Sequence, residues 1–287
     1  MTFRPRRSAL YMPASNPRAL EKARALPADV VILDLEDSVA PEAKSEARAN
    51  VLRALAEGGF GRREVVVRVN GLDTPWGRDD MAAVALTRAD AVVVPKVSSR
   101  ADVLAAQAAL GRDTPIALWV MMETPAAMLA AAEIASARAD VPGLSVMVMG
   151  TNDLAKETRA KLLPGRAAFQ PWLATCLAAA RSAGLDILDG VFNDLEDGTG
   201  FAAECQQGRD MGFDGKTLIH PRQIEPCNRL FSPSPEEVAW SRRIADLFEL
   251  PENRGLGVVR LEGRMVERLH AEMAQRLLAL VDEDDRK

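Results

Sequence analysis

The chain has 287 residues, enough for one large domain or two ordinary ones. Hydrophobic residues make up 48% and charged residues 27%, and 36 basic against 41 acidic side chains leave a net charge of -5. That balance lacks the positive surplus of a nucleic-acid binder, and the longest apolar run, near IALWVMM, falls well short of the ~20 residues of a membrane-crossing helix.

The opening FRPRRSALYMPAS has basic residues, but its apolar piece is too short for the core of a secretory signal, so a cytoplasmic location is expected. Short apolar runs then alternate with segments of helical period. In chain order the predicted strands are SALYMP, DVVILDL, EVVVRVN, DAVVVPKV, IALWVMME, LSVMVMG, LDILDGV and GKTLIHP. Between them lie PRALEKARAL, PEAKSEARANVLRALAEGG, GRDDMAAVAL, SRADVLAAQAALG, PAAMLAAAEIASA, QPWLATCLAAARSAG and FAAECQQGRDMG, each spaced as a helix with one packed face, and PRQIEPCNRLF follows the last strand. Strands apolar on both faces and joined by crossover helices imply a parallel sheet, and eight such units close a TIM (β/α)8 barrel. An open doubly wound sheet is the rival. No GxGxxG follows the first strand, and eight units exceed the usual count for that fold.

After Phe231 the pattern changes. SPSPEEVAWSRRIADLFEL opens with a helix-start signal, GLGVVRLEGRMVE reads as a hairpin, ERLHAEMAQRLLALV as an amphipathic helix, and the closing DEDDRK as a frayed end. The expected division is a barrel over 1–231 and an appendage over 232–287. Cys176, Cys205 and Cys227 are odd in number and widely spaced, which suits buried thiols rather than disulfides or a metal site.

In a TIM barrel the C-terminal strand ends carry the chemistry. Here they supply Asp34, Glu36 and Asp37; Arg68 and Asn70; Lys96; Glu123; Gly150, Thr151, Asn152 and Asp153; and His220. Glu123 and Asp153 end neighbouring strands, and two such carboxylates invite a hard divalent ion such as Mg²⁺. Each has a plainer reading as a helix or turn cap. Arg68 starts inside the barrel and needs an anion, supplied either by Glu36 or Asp34 or by a substrate oxygen. Lys96 reads as a Schiff-base amine or a counter-ion, and His220 as a structural imidazole or a substrate contact.

The motifs RSALYMPASNPRALEKA, VVILDLEDSVAPEAKSEAR, VVVRVNG, VVVPKV, METP, MGTNDLA and GFDGKTLIHPRQI, followed by FSPSPEEV, run in order through nearly the whole chain. On them the chain resembles the citrate lyase β-subunit-like family of acyl-CoA lyases, which includes malyl-CoA and citramalyl-CoA lyases. The resemblance implies a magnesium-dependent TIM barrel, a homotrimer or hexamer, that cleaves or forms the carbon–carbon bond between an acyl-CoA enolate and a 2-oxoacid. It implies that Glu123 and Asp153 hold the metal, that Arg68 binds substrate oxygen, and that Glu36 and Asp37 order metal-bound water. Gly150, Thr151, Ile219 and His220 fall in the substrate pocket, and Tyr11, Arg18 and Lys22 approach CoA.

Family members with lyase activity carry an aspartate as proton donor in an appendage that closes over a neighbouring subunit. In EGRMVERL the matching position is Glu267, a carboxylate on a stem one methylene longer. The alternatives are a subunit acting on carrier-protein-bound acyl groups and a 2-oxoacid aldolase that does not use CoA. The expected partners are an acyl-CoA thioester and a 2-oxoacid, with no nucleic acid or membrane.

Overall fold

The computed structural model describes residues 4–285. Chain contacts divide it into two compact units, Arg6–Arg229 and the segment from Leu230 onward, the latter together with Arg4 and Pro5.

The first unit is a closed barrel of eight strands in sequence order. The strands are β1 (Ser8–Pro13), β2 (Val30–Asp34), β3 (Glu64–Arg68), β4 (Ala91–Val94), β5 (Ala117–Met122), β6 (Leu144–Met149), β7 (Asp186–Asp189) and β8 (Gly215–Leu218). Each pairs in parallel with the next, and β1 pairs with β8 to close the ring. Alternate residues point inward, and Ala9, Val30, Ile32, Val66, Ala91, Val93, Trp119, Met121, Val146, Val148 and Leu188 fill the interior. β-branched residues dominate that set because they pack well on a pleated surface. Arg6 plugs the N-terminal end: it pairs with Glu64 at 2.6 Å and with Asp186, and lies 5.3 Å beneath the Trp119 ring. Closure depends on Gly215, where a Cβ would overlap the Arg6 carbonyl, while the Lys216 N–H donates to Arg7 O at 3.0 Å.

The helices are α1 (Pro17–Ala23), α2 (Lys44–Glu57), α3 (Gly77–Val84), α4 (Arg100–Leu110), α5 (Pro125–Leu129), α6 (Ala131–Ser136), α7 (Thr151–Thr158), α8 (Gln170–Ser182), α9 (Gly198–Met211) and α10 (Ile224–Phe231). Two details depart from the sequence expectation. The segment after β5 breaks at Ala130 into α5 and α6, and TNDLAKET forms a full two-turn helix, α7, where a turn at DLAKE was expected. The three cysteines are buried and unpaired, as the spacing suggested.

The second unit comprises α11 (Pro235–Glu249), β9 (Val258–Leu261), β10 (Arg264–Glu267) and α12 (Arg268–Asp285). Ser234 and Glu237 form a capping box that starts α11. β9 and β10 form the expected antiparallel hairpin, and Ile244, Phe248, Val266 and Ala274 make its core. Of the closing DEDDRK, the backbone continues as α12 to Asp285; Arg286 and Lys287 lie outside the described residues. Among the described residues no helix is long and apolar enough to cross a membrane.

Candidate active site

The acidic end of β2 meets the end of β3 in one charge cluster. Arg68 leaves β3 pointing into the barrel mouth, where its Nε and Nη2 donate to Asp34 Oδ1 and Oδ2 at 2.6 and 2.7 Å. Its Nη1 lies 2.8 Å from Glu36 Oε2 and 3.4 Å from Asp37 Oδ2, and its guanidinium stacks 4.6 Å over the Tyr11 ring. The anion that a buried guanidinium requires is therefore supplied first by Asp34. Burial alone would raise the Asp34 carboxyl, but Arg68, the Ser38 side chain and the Glu36 N–H hold it below the ordinary aspartate value.

Glu36 responds differently. Burial pushes its carboxyl up, Arg68 opposes this, and the neighbouring Asp37 charge adds to the rise. The peptide carrying it is held by Lys44, whose ammonium donates to the carbonyls of Leu35 and Glu36 at 2.8 Å each. Sequence reasoning missed Lys44; its position in PEAK, at the start of α2, gives no local hint of that reach. Asn70 serves the same frame, donating to Leu35 O at 3.0 Å and to the buried Asp80 at 2.6 Å.

Glu123, at the end of β5, is buried and accepts the Lys96 backbone N–H at 2.7 Å. Its carboxyl is pushed up to about 8 by burial first and by the negative charge of Glu36, with Asp153 adding a smaller repulsion. Asp153 sits in the first turn of α7, 19% exposed, facing the same space. Between these acids hangs the Lys96 ammonium, 3.4 Å from Glu36 Oε1 and 3.7 Å from Asp153 Oδ2. Burial lowers its pKa, but Glu36 and then Asp153 more than offset this, so the net shift is upward. A lysine held protonated is a poor imine nucleophile, which favours the counter-ion reading.

The donor set fits a hard divalent cation. Among the described residues no three His, Cys, Asp or Glu side chains gather as a full ligand set, but magnesium commonly takes one or two carboxylates and leaves the rest to water and substrate oxygens. Glu123 and Asp153 supply two oxygen donors whose mutual repulsion a 2+ charge would relieve. Gly150 makes the approach of β5 and β6 feasible here: a Cβ at that position would overlap the Cβ and the carboxylate of Glu123. Its φ of -104° would suit alanine, so the predicted effect of Gly150→Ala is local. Mn²⁺ affinity is expected to fall ~10–100-fold with the far-ultraviolet circular dichroism unchanged; calorimetric titration checks the first and the spectrum the second.

Thr151 is buried at the start of α7, and Asn152 exchanges side-chain amide hydrogen bonds with Asn193 at 3.1 and 2.8 Å. His220 caps a short turn of 3₁₀ helix, its Nδ1 accepting the Arg222 N–H at 3.1 Å, and Ile219 beside it is 41% exposed. Arg18 and Lys22 stand exposed one turn apart on α1. Glu267 closes β10 in the second unit, exposed, its N–H donating to His270 Nδ1 at 2.9 Å.

A second cluster, not anticipated from sequence, stands behind β7 and β8. Lys216 is wholly buried and donates to Asp189 Oδ2 at 3.0 Å and to Glu204 Oε1 at 2.7 Å. Arg166, from the α7–α8 connection, donates to Asp189 Oδ1 at 2.7 Å and to Gln207 Oε1 at 2.9 Å. Asp189 also accepts the Gly190 N–H at 2.8 Å. The cluster ties the helical layer to the strand ends beside the mouth.

The profile of the HpcH/HpaI aldolase/citrate lyase family matches residues 7–221. The chain is 53% identical over 275 residues to a (3S)-malyl-CoA thioesterase of Cereibacter sphaeroides, covering 96% of this chain and 94% of the relative. It is 38% identical over 291 residues to an L-malyl-CoA/beta-methylmalyl-CoA lyase of the same species, covering 92% and 91%. Among solved structures, protein CitE of Mycobacterium tuberculosis in complex with magnesium, acetoacetate and coenzyme A is similar with a TM-score of 0.77 and 31% identity, over 96% of this chain and 97% of that one.

Proposed function

The chain belongs to the HpcH/HpaI aldolase/citrate lyase family, and from that premise we propose that its barrel mouth binds a malyl-CoA-type 3-hydroxyacyl-CoA thioester beside Mg²⁺ and breaks it down. The observation that carries this reading is the meeting, in one mouth, of Glu123 and Asp153 with an arginine pinned by Asp34 and stacked on Tyr11. When bound, Mg²⁺ would supply a Lewis-acid centre for the hydroxyl and carboxylate of the acyl group. CitE, in complex with magnesium, acetoacetate and coenzyme A, supports the ion and a coenzyme A-bearing ligand.

Arg68 is suited to oxyanion stabilisation. Asp34 fixes Nε and Nη2, and Nη1, which lies 2.8 Å from Glu36 Oε2 and 3.4 Å from Asp37 Oδ2 at the open side of the cluster, is the donor that a thioester oxygen would meet. Negative charge develops on that oxygen by either of two routes. In hydrolysis, water adds to the thioester carbonyl, the C–S bond breaks, and the sulfur takes a proton to give a free hydroxy acid and CoA. In carbon–carbon cleavage, the 3-hydroxyl loses its proton and becomes a carbonyl, the bond electrons pass into the thioester enolate, and the enolate carbon is reprotonated to give acyl-CoA and a 2-oxoacid.

Hydrolysis is the reading adopted, because the 53% identity to a malyl-CoA thioesterase is well above the 38% identity to a malyl-CoA lyase. Carbon–carbon cleavage is the second reading, favoured by Glu267, which would donate the final proton from the appendage of a neighbouring copy. Purified protein is incubated with (3S)-malyl-CoA and Mg²⁺ while free thiol and 2-oxoacid are followed in parallel. Thiol without 2-oxoacid is expected, lost on chelation. Glyoxylate without thiol selects the lyase. Neither product removes the proposal, and turnover of an acyl-carrier-protein thioester in its place would assign the site to carrier-bound substrates.

A further inference from the structure

Lys96 combines two features that a single plain role does not require. Its backbone lies in the left-handed region, with φ 54°, and this conformation presents its N–H to Glu123 at 2.7 Å. Left-handed backbone costs a residue with a β-carbon ~1–2 kcal/mol, and glycine or asparagine would serve the backbone better. The side chain is held differently. Its ammonium is 45% exposed and stands 3.4 and 3.7 Å from Glu36 and Asp153, whereas Arg68 grips Asp34 at 2.6 Å. A charge-assisted pair made to stay closes to about 2.7–2.9 Å, so Lys96 rests between two acids without being locked to either.

We propose that Lys96 is a tethered counter-cation: its ammonium fills the gap between Glu36 and Asp153 until a divalent ion enters, and then turns to the carboxylate of the bound acyl group. The proposal rests on the metal reading of Glu123 and Asp153. A 2+ charge beside Asp153 repels the ammonium, and the flexible four-carbon stem lets it move while the backbone N–H keeps its hold on Glu123. The anion it then meets is the carboxylate of a 2-oxoacid or 2-hydroxyacid. Lys96 thereby competes with the metal and selects acyl groups that end in a carboxylate.

These two roles give a single substitution effects of opposite sign. Lys96→Asn keeps a residue tolerant of the left-handed backbone, together with its N–H, and deletes the ammonium; Lys96→Arg keeps the charge. Mn²⁺ binding to the full-length protein is measured by electron paramagnetic resonance, and oxalate binding to the Mn²⁺-loaded protein by calorimetry. In Lys96→Asn, Mn²⁺ is expected to bind tighter and oxalate weaker, each on the order of tenfold, the size of a unit-charge interaction across a few ångströms of half-solvated protein. Lys96→Arg should stay near wild type in both. Unchanged or weaker Mn²⁺ binding in Lys96→Asn overturns the proposal, and weakening of both ligands marks a merely structural lysine. Glu123→Gln is the control: if it binds Mn²⁺ like wild type, or wild type binds none, the metal reading itself fails and this inference goes with it.

Discussion

Arg68→Met is expected to lower kcat ~10²–10³-fold, the usual consequence of losing one preorganised oxyanion donor, and to destabilise the barrel by ~3–5 kcal/mol. The two losses have separate causes. On the proposed reading, turnover falls because Nη1 would no longer meet the thioester oxygen. Stability falls because Asp34, 1% exposed, keeps a charge whose bidentate partner has gone. The N–H groups of Glu36 and Ser38 still donate to it, but two neutral donors do not replace a guanidinium.

A second substitution separates the effects. In Arg68→Met with Asp34→Asn the buried charge is removed together with its partner, so most of the lost stability should return while turnover stays low. Urea midpoints and steady-state rates measured on the same preparations test this. Recovery of activity along with stability would assign Arg68 a purely architectural role.

The other large effect is expected behind β7 and β8. Asp189→Ala would leave Lys216, wholly buried, and Arg166, 2% exposed, without the carboxylate they share, a loss of ~3–5 kcal/mol. Asp189→Asn, which keeps the shape, should lose less and is the better variant for pH work. Burial would raise the Asp189 carboxyl, but Lys216 and Arg166 hold it below the ordinary value. A depressed aspartate stabilises the fold above its unfolded pKa, about 3.9, and that contribution is lost as pH falls through the lower folded value.

Lys216 has the opposite sign. Burial lowers it, but Asp189 and Glu204 raise it overall, so its contribution is complete below about 10.4 and is lost as pH rises through the folded value. The gap in stability between wild type and Asp189→Asn should therefore be widest near neutrality and narrow as the solution is acidified below the ordinary aspartate range. Denaturation midpoints across that range decide the matter: a gap independent of pH would show that the carboxylate charge of Asp189 does not matter to the fold.

The expected location of the charged mouth survives in the structure, with its partners rearranged. DLEDSV does form an acidic rim, and Arg68, Lys96, Glu123 and Asp153 do converge on it. Arg18 and Lys22 stand exposed on α1, and His220 has a capping role that its own Nδ1 fulfils. The helix over Thr151–Thr158 escaped notice because Gly150 and Asn152 are turn-favouring residues, while its amphipathic period spans only two turns.

What the sequence by itself determined is the barrel. Eight apolar strands with β-branched faces, separated by helices of period 3.6, are local patterns, and right-handed parallel crossovers leave few ways to assemble them. The strand ends then placed the acids and Arg68 at one mouth. Only the tertiary structure decided which charges pair. Asp34 rather than Glu36 takes the main grip on Arg68, 34 residues away; Lys96 reaches Glu36 across 60; and Lys216 meets Asp189 across 27. Such pairings depend on distances of tenths of an ångström and on the exclusion of water, neither of which leaves a periodic trace along the chain.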